Sequence, residues 1–289
     1  MNYETAVKNI RFELERYLKE SGLKSLVIGI SGGIDSTLCA ALAKPVCDEL
    51  GVKLIGRSIN IYTNKMDERN RAKEVGNYFC DDFKEVDLNG MFEYMRGVDA
   101  DSALGDKDSS EYKIRMGNIK ARMRMIYLYN LASKHNGMVL STDNYTELNL
   151  GFWTLHGDVG DYGMIQSLWK TEVYDMTEWI MKNENGFTSV DFGKILNESI
   201  TCNATDGLGI TNTDLEQILP DFVGDSRTGY EKVDTILSVH MIMIKTDDKS
   251  RNNYIEKNKD CPILQRHLRT NFKRNNPTNI DRFIITEGK

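Results

Sequence analysis

The stretch Gly29-Ile30-Ser31-Gly32-Gly33-Ile34-Asp35-Ser36 joins the apolar run Leu26-Val27-Ile28 to the helix-prone Thr37-Leu38-Cys39-Ala40-Ala41-Leu42. A strand that breaks into Ser-Gly-Gly and then starts a helix gathers backbone N–H groups and two hydroxyls at one point, where the helix dipole also favours an anion. That chemistry is phosphate binding. There is no Gly-x-x-x-x-Gly-Lys-Ser/Thr, and so no lysine to travel with a transferred γ-phosphoryl group. Asp35 stands there instead, and an acid beside a triphosphate calls for a hard cation between them, so Mg2+ is expected. Such a loop suits holding pyrophosphate as a leaving group, which puts the reaction at the α-phosphorus. Ser-Gly-Gly alone reads more readily as a plain turn; the full octet between a strand and a helix reverses that and favours the cradle.

The elements that must carry this loop follow from periodicity. Phe12, Leu14, Tyr17 and Leu18 suggest an amphipathic helix ending at Gly22, followed by a strand from Ser25 to Ile30. The helix after the loop is expected to bend or stop near Pro45, because proline removes a hydrogen bond of the ladder. Val52 to Ile59 reads as a second strand, Met66 to Phe79 as a second helix, and Glu85 to Leu88 as a short third strand. Gly97 to Ser110, rich in Asp, Ser and Gly, reads as a mobile loop. A long helix from about Tyr112 to Ser133 precedes a strand from Gly137 to Thr142. Alternating strands and helices imply a doubly wound α/β fold, a mostly parallel sheet with helices on both faces. Ligands bind such a sheet beyond the carboxyl ends of its strands, where Ser31 and Thr142 both emerge.

At 289 residues and 40% hydrophobic content the chain can bury one sizeable core, and a single domain over 1–289 is expected. No apolar run approaches the roughly 20 residues that span a bilayer, and Met1-Asn2-Tyr3-Glu4 has neither a basic nor an apolar signal character, so a cytoplasmic protein without a membrane partner is the expectation. Five widely spaced cysteines without Cys-x-x-Cys read as reduced, mostly buried thiols. A net charge of −6 argues against a nucleic-acid partner, although Arg266, Arg269, Lys273 and Arg274 form a local basic patch whose plain reading is a solvated tail.

The octet resembles the pyrophosphate loop of the N-type ATP pyrophosphatases, a superfamily that includes NAD synthetases, GMP synthetases, argininosuccinate synthetases and several tRNA-modifying enzymes. Further blocks narrow the likeness to the NAD synthetases. Gly117-Asn118-Ile119-Lys120-Ala121-Arg122-Met123-Arg124-Met125 is similar to their Gly-Asn-Ile-x-Ala-Arg-x-Arg-Met signature. Ser141 to Leu148, Gly151-Phe152-Trp153-Thr154-Leu155-His156-Gly157-Asp158 and Leu168 to Tyr174 resemble three more of their segments, and weaker echoes occur at 204–208, 229–234 and 272–277.

The resemblance implies that deamido-NAD, ATP and ammonia give NAD, AMP and pyrophosphate through an adenylated carboxylate. It implies that Gly29, Ile30, Ser31, Gly32, Gly33, Ile34, Asp35, Ser36, Arg57, Thr142, Lys170 and Thr205 bind ATP, and that Asp35 and Glu147 hold Mg2+. Asn118, Arg122, Asp158, Asp161, Phe272 and Lys273 would meet deamido-NAD, with Asp35, Asp158 and Lys170 the catalytic set. Lys120 and Arg124 would serve salt bridges or a subunit contact, a homodimer is implied, and a C-terminal segment, about 250–289, would close over the site. Leu155 stands where many ammonia-using members have lysine, and Phe272 where they have histidine, which touches acceptor contacts more than ATP contacts. With about twenty residues before the first strand there is no glutamine-hydrolysing domain there, so free or delivered ammonia is the expected nitrogen source. The alternatives are another adenylating member of the superfamily, GMP-synthetase-like or tRNA-modifying, or a non-catalytic nucleotide-binding protein.

Overall fold

The structure, a computed structural model, describes residues 1–62, 65–98, 108–184, 190–203, 211 and 213–277. In chain order its helices are α1 (Tyr3–Ser21), α2 (Ile34–Leu50), α3 (Met66–Phe79), α4 (Asn89–Val98), α5 (Ser110–Lys134), α6 (Tyr145–Leu150), α7 (Lys170–Asn183), α8 (Val190–Thr201), α9 (Ser226–Met243), α10 (Asp248–Lys257), α11 (Pro262–Arg269) and α12 (Asn271–Arg274). The strands are β1 (Ser25–Gly29), β2 (Lys53–Asn60), β3 (Asp82–Asp87), β4 (Gly137–Ser141) and β5 (Tyr162–Gly163). All pair in parallel, in the order β3-β2-β1-β4-β5. The order reverses between β1 and β4, the position at which an open parallel sheet leaves a crevice at its carboxyl edge.

Alternation along the strands explains the layers. Leu26, Ile28, Leu54, Met138 and Leu140 point into one large core with the apolar stripes of α1, α2 and α7. Val27, Ile55 and Val139 face the other way, against Ala132 and Leu128 of α5. Every one of these strand residues is buried, and each side chain of that size stabilises the fold by roughly 1.5–3 kcal/mol over an exposed one. Sheet side chains of both parities are therefore covered, as a doubly wound sheet requires.

Local chemistry sets the element ends. The Asn2 side chain caps α1 by accepting from the Thr5 N–H at 3.0 Å, and Gly22 ends it in the left-handed region at φ 68°. The Ser109 hydroxyl caps α5 by accepting from the Tyr112 N–H. The expected break at Pro45 does not occur: α2 runs through to Leu50. Proline leaves the Ala41 carbonyl without its ladder donor, and Arg11 of α1 supplies one, with Nη2 3.1 Å from the Ala41 oxygen and Nε 3.3 Å from that of Leu42. Glu184 grips the same guanidinium through both carboxylate oxygens. The stretch read as a mobile loop also needs correction, because Gly97 and Val98 close α4 and Ser110 opens α5; residues 99–107 lie outside the described residues. The five cysteines are free thiols, with Cys39 and Cys47 buried. Among the described residues no helix is long and apolar enough to cross a membrane.

Candidate active site

A cavity of about 330 Å³ opens where β1 and β4 diverge. Its phosphate end is the loop between β1 and α2. Hydroxyls fold this loop on itself: Ser31 and Ser36 Oγ atoms lie 3.1 Å apart, the Ser36 hydroxyl donates to the Gly33 carbonyl at 3.1 Å, and the Thr37 hydroxyl donates to the same oxygen at 2.9 Å. Gly32 has φ 82°, and a Cβ there would stand 2.6 Å from the Glu68 carbonyl oxygen and 2.8 Å from the Ala72 nitrogen. Only glycine fits, both for the left-handed backbone and because the obstacles are backbone atoms of α3. The loop thus leads Gly33, Ile34 and Asp35, the first turn of α2, onto the cavity, where the helix dipole favours negative charge.

Three elements meet at the Asp35 carboxylate. Asn144, the cap of α6, donates from Nδ2 to Asp35 Oδ1 at 2.9 Å. The same side chain accepts the Glu147 N–H through Oδ1 at 3.0 Å, while the Asn144 N–H donates to Glu147 Oε2, a reciprocal capping box. Lys170, opening α7 and 2% exposed, donates its ammonium to Asp35 Oδ2 and, at 3.1 Å, to Glu147 Oε1. Burial alone would depress the lysine, but the two carboxylates outweigh it and hold the ammonium well above its ordinary range. Burial pushes the Glu147 carboxyl up to about 7 against the pull of Lys170. Asp234 of α9 locks the arrangement from behind, accepting from the Thr146 hydroxyl at 2.5 Å and the Thr171 N–H at 3.0 Å.

At the other end, residues expected to meet the acceptor converge on one loop, Gly151 to Asp158. Thr154 donates its hydroxyl to Asn118 Oδ1 at 2.8 Å and its N–H to Asp158 Oδ1 at 2.6 Å. Arg122 donates to the Leu155 carbonyl from Nε and Nη2, at 3.3 and 3.1 Å. Lys273 donates to the carbonyls of Gly151, at 2.7 Å, and Trp153. Burial raises the Asp158 carboxyl, opposed by the Thr154 N–H. Of these residues Asp158 lines the cavity; Asn118, Arg122 and Lys273 support the loop that carries it.

Among the expected ATP residues, Gly29, Ile30, Ser31, Gly33, Ile34, Asp35, Arg57, Thr142 and Lys170 line the cavity, as does Glu147. Gly32 and Ser36 shape the loop without lining it, and Thr205 lies outside the described residues. Two residues fall elsewhere. Asp161 accepts from the Tyr129 hydroxyl at 2.8 Å and the Val139 N–H at 3.0 Å, because parallel pairing at Tyr162 turns it into the sheet, and Phe272 is 58% exposed. Arg57 spends Nη2 on Asp82 at 2.9 Å, and its buried Nε has no partner among the described residues. Lys120 sits over the Phe92 ring at 5.1 Å instead of in a salt bridge, and Arg124, donating to the Ile59 carbonyl, lines the cavity. The sequence reading gives the bridging Asn144 no role and Arg124 a role away from the cavity, though Asn-x-x-Glu shortly after a strand is a legible capping signal.

A family model described as NAD synthase matches residues 6–277. The chain belongs to the NAD synthase family. The NH(3)-dependent NAD(+) synthetase of Methanococcoides burtonii is 31% identical over 227 residues, covering 78% of this chain and 81% of that protein. The enzyme of the same name from Finegoldia magna is 32% identical over 182 residues, 62% of this chain and 69% of its own length. Among solved structures, the NMN synthetase from Francisella tularensis superposes with a TM-score of 0.70 at 21% identity, covering 95% of this chain and 96% of that one, so the two share a fold. NAD synthases are ATP-using ligases that form a carbon–nitrogen bond, and the α/β architecture is theirs.

Proposed function

We propose that this cavity amidates deamido-NAD with ammonia, at the expense of ATP cleaved to AMP and pyrophosphate. The observation that carries the reading is the Asp35–Lys170–Glu147 constellation at the mouth of a lysine-free phosphate loop, in a chain of this family. A carboxylate is a poor acyl electrophile, since oxide does not leave. Its oxygen therefore attacks the α-phosphorus of ATP, the bond to the β-phosphate oxygen breaks, and pyrophosphate departs. The ammonia nitrogen then attacks the acyl carbon, AMP leaves with the electron pair, and one proton is released.

No enzyme nucleophile is needed, so the protein's part is positioning and charge. The turn at Gly33 to Asp35 would receive the β- and γ-phosphates, Lys170 would offset their charge, and Asp158 would accept the proton of the incoming nitrogen. Asp35 and Glu147 suit Mg2+. They present two hard oxygen donors on one cavity, joined in this structure by an ammonium that marks where positive charge is wanted. Mg2+ is an ion that takes one or two carboxylates and completes its shell with phosphate and water. When bound, Mg2+ would neutralise triphosphate charge. Further parts of the reading are a homodimer, a C-terminal segment that closes the site, and a cytoplasmic setting.

The test is incubation of the purified protein with ATP, Mg2+, deamido-NAD and ammonium. NAD, AMP and pyrophosphate are expected in equal amounts; ADP and orthophosphate in their place overturn the chemistry. Nicotinate mononucleotide offered as a competing acceptor checks the substrate, and glutamine offered in place of ammonium checks the nitrogen source.

A further inference from the structure

We propose that Arg71 of α3 is a ligand of the departing pyrophosphate, a role that rests on the reaction given above. The loop itself brings no cation. Arg71 approaches it from a different element, with Nε donating to the Gly32 carbonyl at 3.2 Å and Nη1 to Asp67 Oδ2 at 3.1 Å. Its Nη2 has no hydrogen-bond partner among the described residues. The side chain is 15% exposed and lines the cavity beside Ser31, Gly33 and Asp35; it also borders a smaller, more open cavity between α3 and α8.

The other cations of the cavity are already engaged. Lys170 is shared by two carboxylates, and Arg57 is held by Asp82 on β3. Arg124 enters from α5, across the sheet from the face that carries α2. Among the described residues, Arg71 couples contact with the loop backbone to an uncommitted N–H pair. Its partner Asp67 is 67% exposed, and an ion pair with so exposed an acid is weak and readily exchanged for a phosphate oxygen. A guanidinium also offers the planar fork that pairs with two phosphate oxygens at once, which an ammonium does not. Charge at this point would stabilise the leaving group as the α–β bond breaks, and would hold the product until it exits.

The experiment measures binding of inorganic pyrophosphate with Mg2+, and of AMP separately, by calorimetry on the full chain and on Arg71→Lys, Arg71→Gln and Arg71→Met. Both neutral variants should lose at least tenfold in pyrophosphate affinity, Lys should fall between them and the parent, and AMP should bind within twofold of the parent throughout. Two neutral substitutions guard against one that fails to fold. Pyrophosphate affinity unchanged in Gln or Met overturns the proposal. So does an equal loss for AMP, which would mean that Arg71 acts only by bracing Gly32. If NAD is not formed but pyrophosphate binding still follows Arg71, the acceptor assignment fails and this one stands.

Discussion

The two ends of the cavity are built in opposite ways. At the phosphate end, side chains bond to side chains: Asp35, Asn144, Glu147 and Lys170 form a closed set whose members come from the first turns of α2, α6 and α7. At the acceptor end, apart from the Thr154 hydroxyl on Asn118, side chains bond to backbone: Arg122 and Lys273 reach carbonyls of the 151–155 loop, and Asp158 takes an N–H of it. A closed set of charges tolerates little substitution, since removing one member leaves the rest buried and unpaired. Backbone oxygens are indifferent to the side chain that bears them. Leu155 can replace lysine there while Arg122 still finds the Leu155 carbonyl.

Four substitutions sharpen or break this contrast. Lys170→Met should be the most severe: two half-buried carboxylates would face each other without their shared cation, at a cost approaching roughly 3–5 kcal/mol, and urea melts together with turnover assays should show a less stable, inactive protein. Retained activity would mean that the phosphate end is not the closed set described. Gly32→Ala forces a Cβ against α3 backbone atoms and should lower kcat/KM for ATP by about 100-fold, as misplaced reacting groups do, with KM for deamido-NAD unchanged. Lys273→Met removes a charged donor to two carbonyls and should raise KM for deamido-NAD about tenfold, the size of one such bond, with KM for ATP unchanged. An equal change in both constants would erase the division between the ends.

The smallest effect concerns pH. His267 of α11 faces Asn149 of α6, with Arg274 and His240 beside it, and burial, aided by the arginine, lowers its pKa from 6.5 to about 4. The unfolded chain therefore binds the extra proton first. Stability is fully present above pH 6.5 and is lost as pH falls toward 4. His267→Gln should flatten the Tm profile over that window relative to the parent, and an identical acid limb in the two proteins would refute the assignment.

Much of the phosphate end was legible because its signal is local. The octet, the strand before it and the helix after it lie within one short run, and Met66 to Phe79 was read to the residue from periodicity alone. What escaped depends on partners distant in sequence. Pro45 looked like a helix stop because nothing near it reveals that Arg11 repairs the gap. Asp161 enters the expected set only through the family resemblance, and pairing of β5 with β4 brings it to Tyr129. Arg71 carries no local mark, and the block that contains Arg124 does not say where its side chain goes, since only packing of α3 and α5 against the sheet brings them to the cavity. The basic patch at 266–274 read as a solvated tail. Instead, Arg266 donates to the Leu150 carbonyl at 2.9 Å and Arg274 to that of Asn149 at 2.6 Å, which caps the far end of the helix bearing Glu147.

The repair at Pro45 has a wider meaning for the molecule. One arginine near the amino terminus completes the hydrogen bonding of the helix whose first turn lines the cavity, and Glu184 beyond α7 keeps that arginine in place. The shape of the cavity's loop therefore leans on a brace about two helical turns away along α2, and trimming α1 should disturb that loop without touching a single residue of the cavity.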